Sequence, residues 1–277
     1  MVARQAHNLK VGGSIPSSAT NAARKSGIFI SGRFLIMTSR TPEQIELIRL
    51  QNRLTKRFHK ACADYSLIEE GDHILIALSG GKDSLAMVEF LGKRAQIFVP
   101  RFRVTAVHVR VKERAYLSDL TNLRSFCDEF RVPLVVKDTA IGEEKGDKDP
   151  CFLCSWYRRK ALFDTAQELG CNKIAFGHHK DDIVETLLMN LIFDGKFSTI
   201  YPKLQMDKMP LQLIRPLCLI EESELRRYAE LREYVPQKQH CPFEHASSRT
   251  EIKQLVSDLE RLNPNVRDSL WGAIARR

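Results

Sequence analysis

A chain of 277 residues with 43% hydrophobic and 28% charged side chains has the composition of a folded protein with a full core. No apolar run reaches the roughly 18 to 20 residues that a helix needs to span a bilayer, so no membrane segment is expected; the location expected, from the reducing compartment that the cysteines imply, is cytoplasmic. The net charge of +9 suggests a polyanionic partner, but residues 1–36 hold five basic and no acidic residues; without them 38 basic face 34 acidic residues, only +4.

That first stretch has no apolar periodicity and is rich in Gly, Ser, Ala and Asn. A transit peptide is one reading. Another is an assigned start that lies too early: Gly13-Ser14-Ile15-Pro16 back-translates naturally to the T-arm of a tRNA gene, and Ala6-His7-Asn8 to an anticodon-loop stretch. The expectation is a doubtful extension over 1–36, with translation beginning at Met37. An N-terminal helix follows within 37–70. Thr41-Pro42 is a helix start with Pro near the first position, and Leu47, Leu50, Leu54, Phe58, Ala61 and Tyr65 recur at helical spacing. Its other side carries Arg49, Arg53, Lys56, Arg57 and Lys60, which is either a solvated face or a track for RNA phosphates.

From residue 72 strands alternate with helices. Strands are predicted over His73–Leu78, Arg103–Val109, Leu134–Lys137, Lys173–Phe176 and Leu211–Arg215, and helices over Ser84–Ala95, Leu117–Phe130, Ser155–Leu169 and Asp182–Phe193. This pattern predicts an α/β fold, a five-stranded parallel sheet with helices on both faces, spanning 71–217, with ligands at the carboxyl ends of the strands. The stretch from Asp138 to Pro150 reads as a loop. A helical C-terminal segment over 218–277 is expected at about Glu222–Tyr234, Ser247–Leu262 and Asn265–Ile274.

The apolar strand Ile74–Leu78 runs into Ser79-Gly80-Gly81-Lys82-Asp83-Ser84 and then a helix. Two glycines permit a tight turn and close backbone approach to a ligand, the helix N-terminus favours an anion, and Lys82 adds charge. A Walker A loop is excluded: Ile76 stands where its first Gly is required, and Asp83 follows the Lys. After the fourth strand comes Gly177-His178-His179-Lys180-Asp181-Asp182-Ile183-Val184-Glu185-Thr186. Asp182 and Glu185 share a helix face, suited to Mg²⁺ beside a pyrophosphate; His178 with Asp182 is a less favoured zinc-like pair.

The seven cysteines are Cys62, Cys127, Cys151, Cys154, Cys171, Cys218 and Cys241. Without a secretory pattern they imply a reducing compartment, where a close pair serves metal or redox chemistry. Cys151-Phe152-Leu153-Cys154 lies just before a basic helix containing Trp156, Tyr157, Arg158 and Arg159. A helix N-terminus and nearby cations favour thiolate. A redox disulfide, half of a zinc site completed by His240, Cys241 or His245, and part of an iron–sulfur cluster are all compatible with it. Cys62, Cys127 and Cys171 sit in or beside predicted helices as small hydrophobes.

The Ser79–Ser84 turn resembles the SGGxDS signature of PP-loop ATP pyrophosphatases, which cleave ATP between the α- and β-phosphates and adenylate a substrate. Gly177–Thr186 resembles the GHHxDDxxET stretch of tRNA-modifying members, and Arg215-Pro216-Leu217 their RPL segment. With the C-x-x-C and one later Cys, residues 41–265 resemble the tRNA 2-thiocytidine synthetase family. The resemblance implies an ATP site at Ser79, Gly80, Gly81, Lys82, Asp83, Ser84, His108, Gly177 and Arg215, with Lys82, Asp83 and Asp182 catalytic and Asp182 on Mg²⁺. It implies a [4Fe–4S] cluster on Cys151, Cys154 and Cys241, with one iron open to carry sulfur; Cys218 is the rival third ligand, because His240-Cys241-Pro242-Phe243 departs from the usual cysteine pair. Arg53, Arg57, Arg158 and Arg159 are the expected RNA contacts. The implied reaction adenylates C2 of a tRNA cytidine, at position 32, and replaces its oxygen with sulfur. A sulfur donor such as a cysteine desulfurase and a homodimer complete the picture. The rivals are a lysidine or 2-thiouridine enzyme of the same fold, and a non-catalytic nucleotide-binding module with zinc on the three cysteines.

Overall fold

Thr41 opens the first helix with a reciprocal cap: its hydroxyl accepts from the Gln44 N–H, and the Gln44 side chain accepts from the Thr41 N–H. That helix, α1 (Pro42–Asp64), buries Leu50, Leu54, Phe58 and Ala61, the stripe expected from the spacing. The computed structural model describes residues 40–97, 99–112, 120–141, 150–237 and 248–275. The expectations for 1–36 and for Cys241 lie outside them.

The chain continues through β1 (His73–Ala77), α2 (Lys82–Ala95), β2 (Arg103–Val111), α3 (Leu120–Glu129), β3 (Leu134–Thr139), α4 (Pro150–Glu168), β4 (Lys173–Ala175), α5 (Lys180–Asp194), β5 (Lys203–Gln205), β6 (Gln212–Ile214), α6 (Glu222–Leu231), α7 (Ser248–Leu262) and α8 (Val266–Ala275). The sheet order is β3-β2-β1-β4-β6-β5. All five predicted strands are present and pair in parallel with one another. The predicted count of five is corrected to six: β5 adds an antiparallel edge, with Leu204 opposite Leu213. Three residues, two of them polar, leave no period to read.

Two layers cover the sheet. Ile74 and Ile76 of β1 join α1, α2, α3, α5 and α6 in the larger core, while Leu75 of the same strand joins Leu162 and Ala166 of α4 in the other. Burial on both faces is why β1 reads as an unbroken apolar run. A third cluster fixes α7 to α5 through Ile252 and Val256 against Val184 and Leu188. No helix among the described residues is long and apolar enough to cross a membrane.

Several helix starts differ from the sequence reading; α2 begins at Lys82 and not Ser84. α4 begins at Pro150 and not Ser155, so Cys151 and Cys154 lie inside its first turns and not ahead of it. Pro is favoured at a first helical position because its missing N–H has no intrahelical partner there anyway. α5 begins at Lys180, two residues early, because His179 acts as its cap. The strand order reverses between β1 and β4, the crevice where this architecture binds ligands.

Candidate active site

Gly80 has φ +88°, a left-handed conformation that any side chain would strain. The two serines close the turn on itself. Ser84 Oγ accepts from the Gly80 N–H at 3.1 Å and donates to the Gly81 carbonyl at 2.9 Å, and Ser79 Oγ donates to Ser84 Oγ at 3.1 Å. Gly81 caps α2 without any side-chain acceptor, so the first N–H groups of α2 keep the orphan character that suits an anion. Lys82 Nζ lies 3.0 Å from Asp83 Oδ2 and 3.4 Å from Glu222 Oε1. Asp83 Oδ1 is buried with no hydrogen-bond partner among the described residues.

His108 supports this turn from below. Its Nδ1 lies 2.9 Å from the Leu78 carbonyl, which can only accept, so Nδ1 carries the proton. Burial and the charges of Arg158 and Arg110 lower its pKa and favour that neutral ring. Val107 and Val109, its neighbours on β2, line the cavity above; His108 itself does not.

Gly177 joins the second motif to the first. A Cβ there would stand 3.2 Å from the Asp83 carbonyl carbon and 3.3 Å from the Ser84 nitrogen. Beyond it, His179 and Asp182 cap α5 reciprocally: Asp182 Oδ2 accepts from the His179 N–H at 3.0 Å, and His179 Nδ1 accepts from the Asp182 N–H at 3.4 Å. The two aspartates then divide. Asp182 faces the cavity, whereas Asp181 accepts from the Glu222 N–H at 2.7 Å and lies 3.0 Å from the Arg267 guanidinium, fastening α6 and α8. Burial lowers the His178 pKa to about 4 against the opposing pull of Asp182. Burial likewise raises Glu185 to about 7, and its Oε2 has no partner among the described residues.

These parts enclose a cavity of about 320 Å³ walled by Ser79, Gly81, Asp83, His178 and Asp182. Next to it lies a second cavity of about 350 Å³, lined by Cys151, Cys154, Arg158 and Arg159. Arg158, Leu162 and Phe176 belong to both walls.

Against known families, residues 49–240 match the PP-loop domain. The tRNA-cytidine(32) 2-sulfurtransferase of Aeromonas hydrophila is 37% identical over 84% of this chain and 78% of its own length. That of Syntrophotalea carbinolica is 38% identical over 82% and 89%. The chain belongs to the PP-loop tRNA-cytidine 2-sulfurtransferase family. Among solved structures, the U34-tRNA thiolase NcsA of Methanococcus maripaludis, determined with its [4Fe–4S] cluster, superimposes with a TM-score of 0.69 at 26% identity, covering 83% of this chain and 79% of that one.

For a 2-sulfurtransferase of this family, the cysteine pair is the informative donor set. Cys151 and Cys154 stand three residues apart on one helical face at an N-terminus and line the same cavity as Arg158 and Arg159, a sulfur donor pair that fits a cysteine-ligated cluster. Cys218, the rival third ligand, is instead completely buried in the core on the other face of the sheet, where burial and the nearby Cys62 push its thiol pKa up. Burial also holds Cys62 and Cys127 protonated, at about 12 each, and Cys171 at about 11. No trio of His, Cys, Asp and Glu among the described residues is arranged to hold a metal, so the His178–Asp182 pair lacks a third ligand there.

Arg53, Arg57 and Arg215 are also among the expected residues that do not line the phosphate-turn cavity. Arg53 and Arg57 both pair with Glu224 of α6, Arg53 at 2.8 Å, and so tie α1 to α6. Arg215 is buried, donates to the Tyr201 carbonyl and does not line the cavity. Residues the sequence did not single out are Glu222, Arg249 and Lys253. Lys253 Nζ lies 3.1 Å from Glu222 Oε2, and Arg249 Nη1 lies 3.7 Å from Asp182 Oδ1. They arrive from α6 and α7, with no local motif to announce them.

Proposed function

We propose that this protein is an ATP-dependent tRNA sulfurtransferase that converts a cytidine, at position 32, to 2-thiocytidine. The observation that carries this reading is the wall shared by the phosphate-turn cavity and the cysteine cavity through Arg158, Leu162 and Phe176. An activated base and a sulfur source held in these two spaces would be immediate neighbours. The similarity to tRNA-cytidine(32) 2-sulfurtransferases supports the choice of base.

In this account ATP lies with its β- and γ-phosphates in the turn from Ser79 to Ser84, on the α2 N–H groups, with Lys82 drawn from Glu222 to the phosphates. Mg²⁺ would fit the carboxylates of Asp182 and Asp83, whose buried Oδ1 has no hydrogen-bond partner among the described residues. His108 holds Leu78 and with it the turn. The C2 oxygen of cytidine attacks the α-phosphorus, the bond to the bridging oxygen breaks, and pyrophosphate leaves. Sulfur then takes C2, and AMP departs with the former oxygen. Arg158, standing between the cavities, is placed to neutralise the phosphate as it leaves C2.

Cys151, Cys154 and Cys241 would hold a [4Fe–4S] cluster, which when bound supplies a Lewis-acidic iron for carrying sulfur without net redox change. Gln237, four residues before Cys241 in the chain, donates its N–H to the Gly80 carbonyl at 3.0 Å. Trp156, Tyr157, Arg158 and Arg159 offer stacking and charge to an unpaired loop base; Trp156 is half exposed. A cysteine desulfurase as sulfur donor and a homodimeric assembly are part of this reading.

A second reading draws on the likeness to NcsA: the same chemistry on uridine. Protein purified and assayed without oxygen, supplied with ATP, sulfide and unmodified tRNA, distinguishes them. The proposal expects about four irons per chain and 2-thiocytidine. Exclusive formation of 2-thiouridine supports the second reading, and zinc without thiolation opposes both.

A further inference from the structure

The pyrophosphate end of the proposed site is crowded with acid. Asp83 and Asp182 line the cavity, Glu222 touches Lys82, and Glu185 lies close enough to Asp182 for its charge to be felt. A ligand bearing about four negative charges enters there only if cations offset these carboxylates. Lys82 is one, held between Asp83 and Glu222. The second comes from α7. Arg249 lies 3.7 Å from Asp182 Oδ1, its charge reaches His178 and Glu185 as well, and its side chain is 46% exposed. One turn along the same face, Lys253 neutralises Glu222 from the side opposite Lys82.

We infer that Arg249 is a pyrophosphate-binding residue: its guanidinium, held at Asp182 in the absence of ligand, contacts the phosphate oxygens that become the leaving group. A guanidinium matches phosphate with paired N–H donors, and its exposed side leaves room for them. Ile252 and Val256, buried against Val184 and Leu188 of α5, pack the helix that carries Arg249 onto the helix that carries Asp182. This inference rests on the ATP reading of the cavity.

The test is calorimetric titration of the full-length protein with inorganic pyrophosphate in the presence of Mg²⁺, and separately with AMP. Arg249→Ala should weaken pyrophosphate at least tenfold and leave AMP within twofold, with Arg249→Lys in between. Arg261→Ala, on the same helix but paired only with Asp258 among the described residues, should change neither ligand. Thermal melting of each variant separates loss of fold from loss of ligand. Unchanged pyrophosphate affinity in a folded Arg249→Ala protein, or an equal loss of pyrophosphate and AMP, overturns the inference. Wild-type protein that binds neither ligand would instead overturn the ATP reading itself.

Discussion

Gly177 rests on the peptide backbone of Asp83, so close that a methyl group at 177 would stand 3.2 Å from the Asp83 carbonyl carbon. The two motifs are nearly a hundred residues apart in the chain, yet each fixes the position of the other. Contacts at that distance are tighter than nine in ten real Cβ contacts, and the atoms met are backbone, which must shift by a few tenths of an ångström to admit the methyl group. Gly177→Ala should therefore displace the phosphate turn and weaken ATP binding about tenfold, equivalent to about 1.4 kcal/mol. The control is Gly92→Ala, whose Cβ would meet the Phe130 carbonyl at 2.8 Å, far from the cavity. It should cost about 1–3 kcal/mol of stability and leave ATP affinity unaltered. Titration with ATP and urea denaturation of both variants check the pair.

Glu89 is a fully buried carboxylate that accepts from Tyr228 at 2.6 Å and Tyr234 at 2.7 Å and pairs with Lys93 and Arg232. Although burial pushes its pKa up, these donors win and hold it low, so it is ionised at neutral pH. It ties α2 to the segment that leads to Gln237 and the phosphate turn. Glu89→Gln should destabilise the fold by about 2–4 kcal/mol, because Lys93 and Arg232 lose their counter-charge and one of the two acceptor oxygens becomes an NH2 donor facing other donors. Urea denaturation measures this, and a change below 1 kcal/mol would speak against the network as a structural anchor.

Glu222 sits between Lys82 and Lys253. Burial acts to raise its pKa, but the hydrogen bond from Lys253 and the charges of both lysines bring it to about 2. An acid whose folded pKa is depressed stabilises the fold above its unfolded value and loses that contribution as pH falls through the folded value. The stability difference between wild type and Glu222→Gln should be constant from neutral pH to about pH 5 and close progressively towards pH 2. Melting curves across that range give the result; a difference that grows on acidification would contradict it.

Cys151→Ala should abolish thiolation while ATP binds as before, since Cys151 lines the second cavity and not the first. Nucleotide titration and a thiolation assay on the same preparation separate the two functions. Loss of both would mean that the cavities are not independent.

The strand-to-helix transitions at Ser79 and Gly177 were legible because each is a local event: an apolar strand, glycines, then a capped helix. The three-residue β5 was not, because its existence depends on pairing with β6 and not on its own residues. The division of labour between Asp181 and Asp182 was equally hidden, since adjacent helix positions point about 100° apart and only the packing of α6 and α8 decides which one faces ligand. Arg53 and Arg57 read as a basic stripe until Glu224, more than 160 residues later, is seen to hold them. Arg249 and Lys253 matter only through α7's seat on α5, a long-range contact no motif encodes.

The most direct test of the account is mass spectrometry of nucleosides from tRNA of cells lacking this gene, complemented with the wild-type or the Cys151→Ala protein. The account predicts that 2-thiocytidine disappears from position 32 on deletion, returns with wild type and stays absent with Cys151→Ala. Undiminished 2-thiocytidine in the deletion strain, or its full recovery with Cys151→Ala, would contradict it.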